Sequence, residues 1–228
     1  MSSKSYADFR EALKHPLVLR GLAVFDSLLH IGSGEVGLFA TDKPLVRFGG
    51  KPVIPGSSLK GVFRSSFETM ARLKGHDVCD VVVKPCEKGE WCIACGTFGG
   101  KGLASHVRFY DSLLVRDAKP EVKTGIAINR ITRTVHPKRL YDYEVLVNPV
   151  FNFTAVVYSL GSNDERLSLL ADLFEEAART GLQLGGRKSV GLGHFRLKID
   201  AVDSPVDSGL KDYATRLEER LRKAYTGG

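Results

Sequence analysis

Four cysteines and a histidine crowd one stretch of the chain: His76, Cys79, Cys86, Cys92 and Cys95, the last two written Cys92-Ile-Ala-Cys95. Two intervening residues let both thiolates of such a pair reach one tetrahedral zinc, and the flanking loop can complete a structural site. Cys86, Cys92 and Cys95 are three of the expected ligands. Either His76 or Cys79 is the fourth, and the spacing does not choose between them. The alternatives are free buried thiols or a redox pair, but redox pairs open a helix in a small thioredoxin-like unit that this loop does not resemble. A disulfide belongs in an oxidising compartment.

Further chemistry is spread along the chain. Asp42, in Ala40-Thr-Asp-Lys-Pro-Leu-Val-Arg47, is a loop carboxylate able to help bind a divalent metal or to orient a ribose 2′-hydroxyl for attack on the adjacent phosphate; loop aspartates also cap turns. Ser57, Ser58, Lys60 and Arg64 cluster where a helix should begin, an end that favours anions. The run Leu184-Gly-Gly-Arg-Lys-Ser-Val-Gly-Leu-Gly-His194 lets backbone amides approach a phosphate chain beside Arg187 and Lys188, or is simply a hairpin loop. It is not a P-loop, because it lacks the Gly-Lys-Ser/Thr ending and leads into a strand. His30, ahead of Gly32, reads as an RNA contact or as a satisfied polar group.

The elements that must carry these residues follow from patterning. Leu17 to Leu29 is apolar and β-prone, a first strand. A Pro-Gly turn and a serine cap precede Leu59, Val62, Phe63, Phe67, Met70 and Leu73, which predicts a helix from Ser57 to Lys74. After the cysteine segment, Ser105 to Arg116 reads as a strand and Tyr143 to Leu160 as a long β-run broken at Asn148-Pro149. A second helix spans Asp164 to Thr180 and stops at Gly181; a strand from Gly193 to Val202 and a terminal amphipathic helix follow. Strand, helix, strand, strand, helix, strand is the ferredoxin-like (RRM-like) order of an α+β domain, a sheet that often serves as an RNA-binding platform.

Composition agrees with one elaborated domain. The chain has 228 residues, 43% hydrophobic and 26% charged, as folded globular domains do. Its longest apolar stretch, Phe151 to Leu160, is too short to cross a bilayer, and the N-terminus lacks an apolar secretory core, so no membrane and a cytoplasmic location are expected. With 33 Lys and Arg against 26 Asp and Glu the net charge is +7, a bias toward polyanionic partners. The surplus is concentrated between Lys119 and Leu140 and between Gly185 and Lys198.

Taken in order, His30-Ile-Gly, Thr41-Asp-Lys-Pro-Leu-Val-Arg, Ile54-Pro-Gly-Ser-Ser-Leu-Lys-Gly with Arg64, the Cys-Ile-Ala-Cys95 pair followed by Phe98-Gly, Thr124-Gly-Ile-Ala-Ile-Asn-Arg-Ile-Thr-Arg and the Gly185 loop resemble the repeat-associated (RAMP) superfamily of CRISPR proteins. The match is closest to the backbone subunits of type III effector complexes. That resemblance implies a single RAMP domain: a ferredoxin-like palm (about 16–74, 105–118 and 143–202), a zinc-binding insertion (75–102), a β-hairpin thumb (119–142) and a C-terminal helix (208–225). It places Asp42 at the target-cleaving position and His30, Lys60 and Arg64 along the guide backbone, with Lys123, Arg130 and Arg133 on the thumb. It further implies CRISPR guide RNA and complementary target RNA as partners, head-to-tail copies of the chain, other type III effector subunits, structural Zn2+, and Mg2+ or Mn2+ for cleavage. A subunit that binds RNA without cutting it, or one that processes guides, is the alternative within the same superfamily.

Overall fold

The computed structural model describes residues 16–34, 42–87, 89–116, 118–205 and 208–227. Thr41 of the Asp42 motif and the N-terminal segment of the secretory-signal expectation lie outside the described residues.

Strand β1 (Leu17–Phe25) alternates strictly: Leu17, Leu19, Ala23 and Phe25 are buried, while Arg20 opposite them is exposed. Period-2 alternation of this kind turns one face of a sheet to a core and the other outward. Its neighbours are antiparallel, β8 (Val150–Val157) on one side and β10 (His194–Asp203) on the other. With β4 (Val107–Phe109) and β9 (Leu182–Gln183) at the two edges, the order is β4-β8-β1-β10-β9. The register of β1 on β10 shifts between Arg20 and Gly21. Gly21 is required at that bulge, because a Cβ there would lie 2.1 Å from the Lys198 carbonyl oxygen.

Two helices cover the inner face. Helix α1 (Gly56–Leu73) buries Leu59, Phe63, Phe67 and Ala71 at helical spacing; α3 (Glu165–Arg179) buries Leu167, Leu170, Phe174 and Ala178. Phe63 is the centre of the contact, its ring 4.8 Å from that of Phe109, 5.4 Å from Phe174 and 5.9 Å from Phe153. Truncating such a ring to alanine removes about 3 to 5 kcal/mol. Helix α4 (Ser208–Thr226) lies against β10 and α3 through Leu210, Ala214, Leu217 and Leu221. Asp172 of α3 joins the three helices by pairing with Lys74 and with Arg220, the latter at 2.6 Å.

Several boundaries differ from expectation for local reasons. The first strand ends at Phe25 rather than Leu29. The Ser105–Arg116 strand is two: β4 stays in the main sheet, and β5 (Ser112–Leu113) pairs with β3 (Lys51–Ile54), itself hairpinned to β2 (Arg47–Phe48). The chain turns there because the Asp111 carboxylate accepts the Gly56 N–H at 2.7 Å. That contact also corrects the expected serine cap, since Pro55 stands at the N-cap of α1 and no side-chain cap is made from it. The long β-run does break at Asn148, whose φ is +42°, but its first part belongs elsewhere. Strand β7 (Val135–Val145) pairs with β6 (Glu121–Ile128) in a separate two-stranded hairpin.

Asp164 caps α3 by accepting the Arg166 N–H, and Gly181 beyond its end has φ +87°, both as expected. Among the described residues, no helix is long and apolar enough to cross a membrane.

Candidate nucleic-acid interface

The segment after Asp42 is a connector threaded between two others. On one side it runs antiparallel to the continuation of β1: Ser33 donates to the Pro44 carbonyl at 3.1 Å and Val46 to the Ile31 carbonyl at 2.8 Å. On the other it runs parallel to the base of β7, with Lys43 N–H donating to the Asp142 carbonyl and Glu144 N–H to the Lys43 carbonyl, both at 3.1 Å. The exposed Asp42 carboxylate accepts the Asp142 N–H at 2.9 Å. The aspartate is therefore anchored to the root of the hairpin.

Glu144 fastens the same junction through its side chain. One carboxylate oxygen accepts the Leu45 N–H at 2.8 Å, and the two oxygens take the Arg47 guanidinium at 2.9 and 3.0 Å. The Arg47 fork, ahead of burial that opposes it, holds the Glu144 carboxyl below the usual carboxylate range. Its backbone carbonyl accepts a hydrogen bond from His30 Nδ1 at 2.7 Å, which fixes the proton on that nitrogen.

His30 is thus a buried, satisfied histidine, 6% exposed, its ring edge-on to Tyr143. The glycine-rich loop closes over it: Gly186 N–H donates to the His30 carbonyl at 2.8 Å, and a Cβ on Gly185 (φ +94°) would lie 2.3 Å from that oxygen. The loop then presents Arg187, with its guanidinium 4.0 Å from the Tyr143 ring centroid and 4.7 Å from that of Tyr141. Lys43 stands 5.3 Å from the Tyr141 ring. Exposed Lys188 begins a short 3₁₀ turn beside it. Asp42, Lys43, Arg187 and two tyrosines are so drawn from three distant parts of the sequence to one place.

Above this root, the hairpin carries exposed Lys123 on β6 and exposed Arg130 and Arg133 in its turn. Asn129 organises the turn by accepting the Ile131 N–H at 2.9 Å, and Arg133 adopts φ +57°. Ile126, Ile128, Ile131 and Val135 are exposed along it.

The start of α1 forms a second, separate basic concavity, lined by Ser57, Lys60, Ser105, Arg108 and Tyr110. Ser57 is exposed and Ser58 half-buried. Burial, aided by the Arg64 charge, lowers the Lys60 ammonium from its ordinary value. Arg64 itself turns inward: it pairs with Glu68 at 2.9 Å and donates to the Gly99 carbonyl at 3.0 Å and to Cys95 Sγ at 3.4 Å. Its guanidinium holds the cysteine segment to α1, unlike the outward-facing role expected of it.

In that segment the Sγ atoms of Cys79, Cys86, Cys92 and Cys95 lie within 4.8 Å of one another. Cys79 and Cys95 approach to 3.5 Å, and Cys92 and Cys79 to 3.6 Å. Tetrahedral zinc with bonds of about 2.3 Å sets sulfurs about 3.8 Å apart, so four thiolates already stand near the vertices such an ion needs. Cys92 N-caps the short helix α2 (Ile93–Phe98), its sulfur accepting the Cys95 N–H at 3.4 Å. Burial pushes the Cys92 thiol up, but hydrogen bonds from Cys95 and Cys79 bring it down to about 7. Burial raises Cys95. His76 is not in the cluster: its Nε2 faces Glu165 at 3.5 Å, which leaves Cys79 as the fourth member.

Tyr141, Tyr143, Glu144 and Arg47 escaped the sequence reading. The period-2 placement of Tyr141 and Tyr143 on one face of a strand next to a basic segment was the available signal.

Residues 24–196 match the family model of the RAMP superfamily. A protein of Methanocaldococcus jannaschii described as a CRISPR system Cms endoribonuclease Csm3 is 26% identical over 211 residues, 82% of this chain and 80% of that one. Among solved structures, a chain of the type III-B Cmr-beta complex bound to cognate target RNA superposes with a TM-score of 0.58 at 20% identity, over 83% of this chain. The chain spans 61% of that structure's length.

Proposed function

Because the chain belongs to the RAMP superfamily, we propose that it is a backbone subunit of a type III CRISPR effector complex, which holds a guide RNA and cleaves the target RNA paired to it. One observation carries the reading: the loop bearing Asp42, the glycine-rich loop bearing Arg187 and the root of the hairpin converge on one basic, aromatic patch. A phosphate chain laid there meets Lys43, Arg187 and Lys188, and unstacked bases meet Tyr141 and the apolar side chains of the hairpin. Lys60 with Ser57 and Ser58 extends the positive surface along the guide. Lys123, Arg130 and Arg133 act from the thumb.

The strand order β4-β8-β1-β10, with α1 and α3 on one face, supports a ferredoxin-like palm. The four sulfurs fit Zn2+, with Cys79, Cys86, Cys92 and Cys95 as ligands, and that ion would lock the insertion against α1 through Arg64. Copies stack head to tail, as a linear polymer requires, among other type III subunits.

In cleavage, the Asp42 carboxylate aligns the 2′-hydroxyl and takes its proton. The 2′-oxygen bonds to phosphorus, the bond to the 5′-oxygen breaks as that oxygen takes a proton from water, and the products are a 2′,3′-cyclic phosphate and a 5′-hydroxyl. A divalent cation, Mg2+ or Mn2+, would neutralise charge on the phosphate. Holding Asp42 by one oxygen to Asp142 N–H restricts its rotation, which suits a group that must meet one hydroxyl. Guide processing by a histidine pair is disfavoured, since His30 is buried with Nδ1 committed.

The test is to purify the complex assembled with this chain, sequence its RNA and add complementary target. Short RNAs with a shared repeat-derived 5′ tag, and evenly spaced target cuts lost in Asp42→Asn, are expected. Random RNA would refute the guide-binding role. Cuts unaffected by Asp42→Asn would leave a binding subunit whose partners cut.

A further inference from the structure

The geometry points to Glu144 as a positioning residue for target cleavage, acting through the loop that carries Asp42; this rests on the reading of Asp42 given above. Glu144 joins several parts of the junction at once. Glu144 lies on β7, and its backbone N–H holds Lys43 while its backbone carbonyl holds His30. Its carboxylate takes the Leu45 N–H and the Arg47 fork. Four attachments thus fall on His30 and on Lys43, Leu45 and Arg47 of the segment that follows Asp42.

The side chain is 15% exposed and its guanidinium partner 31%, so the pair is shielded from competing water and salt more than a surface bridge. The Leu45 N–H points at the carboxylate, and the Arg47 fork fixes both oxygens at once. Such bidentate pairing sets direction as well as distance. The loop's backbone bonds to Ser33, Ile31 and Asp142 leave the Leu45 N–H to the Glu144 carboxylate. The carboxylate thus adds a side-chain anchor three residues from Asp42 and two from Lys43. Because a misplacement of about 1 Å lowers a rate by about 100-fold, what holds this loop bears directly on the rate. The same residue sits on β7, so the Asp42 loop and the β6–β7 hairpin share one anchor.

The experiment uses the complex assembled with wild-type chain, Glu144→Ala or Glu144→Gln, measuring guide retention, the target concentration for half-maximal cutting, and the cleavage rate at saturating target. Amide hydrogen exchange of residues 43–47 is followed in the full-length chain. Glu144→Ala is expected to cut about 10- to 100-fold more slowly, at the same positions, with guide retention and half-saturation unchanged and exchange at 43–47 faster. Glu144→Gln keeps an oxygen for Leu45 and should cut faster than Glu144→Ala. A wild-type rate in Glu144→Ala, equal rates for the two variants, or a rate loss matched by loss of guide would each overturn the proposal. Failure of the Asp42 reading looks different: Asp42→Asn then cuts normally, while exchange at 43–47 still responds to Glu144→Ala.

Discussion

Asp42 and Asp142 stand 100 residues apart in the chain, and the carboxylate of the first accepts the backbone N–H of the second at 2.9 Å. A side chain whose chemistry depends on its negative charge is held in place by a bond that does not. Asparagine offers the same acceptor without the charge.

Asp42→Asn should therefore leave the thermal midpoint within about 2 °C of wild type, since the acceptor for Asp142 survives and the site is exposed. Target cleavage should fall at least about 100-fold. Differential scanning calorimetry and a gel assay on the assembled complex read the two quantities from one preparation. A folding defect equal to the activity defect would contradict it.

Cys79 and His76 separate cleanly by metal content. Cys79→Ser should lose about one equivalent of zinc by atomic emission and lower the thermal midpoint by about 10 °C, the consequence of removing a few kcal/mol from a domain of this size. His76→Ala should retain its metal, because its ring lies beside Glu165 and outside the sulfur cluster.

Gly193→Ala tests the closure of the glycine-rich loop. Its φ is +83°, and an added Cβ would sit 1.8 Å from the Leu184 carbonyl oxygen, a backbone atom. The strand-loop pairing between these two residues must open, so urea denaturation should show a loss of at least about 2 kcal/mol. Gly191→Ala is a weaker control, with φ +86° but nothing within 4 Å of its Cβ.

Stability in acid should follow Asp172. Burial raises its carboxyl, but Lys74 and Arg220 outweigh that and hold it below 3.8. A carboxyl depressed in the folded state adds stability that is complete above its unfolded value and is lost as the pH falls through the folded one. Asp172→Asn should cost about 1 kcal/mol at pH 7, modest because all three partners are partly exposed, and the gap to wild type should close as the pH drops below 3.8. Urea titrations from pH 7 downward follow both curves.

Helices α1 and α3 were legible because their signals are local. Asp164 and Gly181 bracket α3, and the apolar spacing from Leu59 to Leu73 bounds α1 to within one residue. What escaped depends on distant partners. No local pattern announces that Asp111 would cap α1 at Gly56 and so split a strand in two. The choice of Cys79 over His76 rests on where Glu165 sits, far along the chain. Arg64 looked like a surface base at helical spacing, and only the packing of Gly99 and Cys95 against α1 turns it inward. Of the candidate site, the loops are legible as motifs, while Tyr143 and Glu144 fall in the expected β-run and Tyr141 in the expected thumb, because alternation records burial and not what shares the face.

The β6–β7 hairpin has a bearing on the life of the protein before it is assembled. Beyond its root, where the Lys43 segment pairs with β7, the hairpin meets no third strand among the described residues, and with side chains such as Ile131, 92% exposed, and Leu140, 63% exposed, it is a sticky ribbon with open edges. Such an edge is an aggregation hazard until something covers it, which in the proposed complex is RNA. Under the proposed function, subunit made in excess of RNA should be the fraction that chaperones and proteases meet.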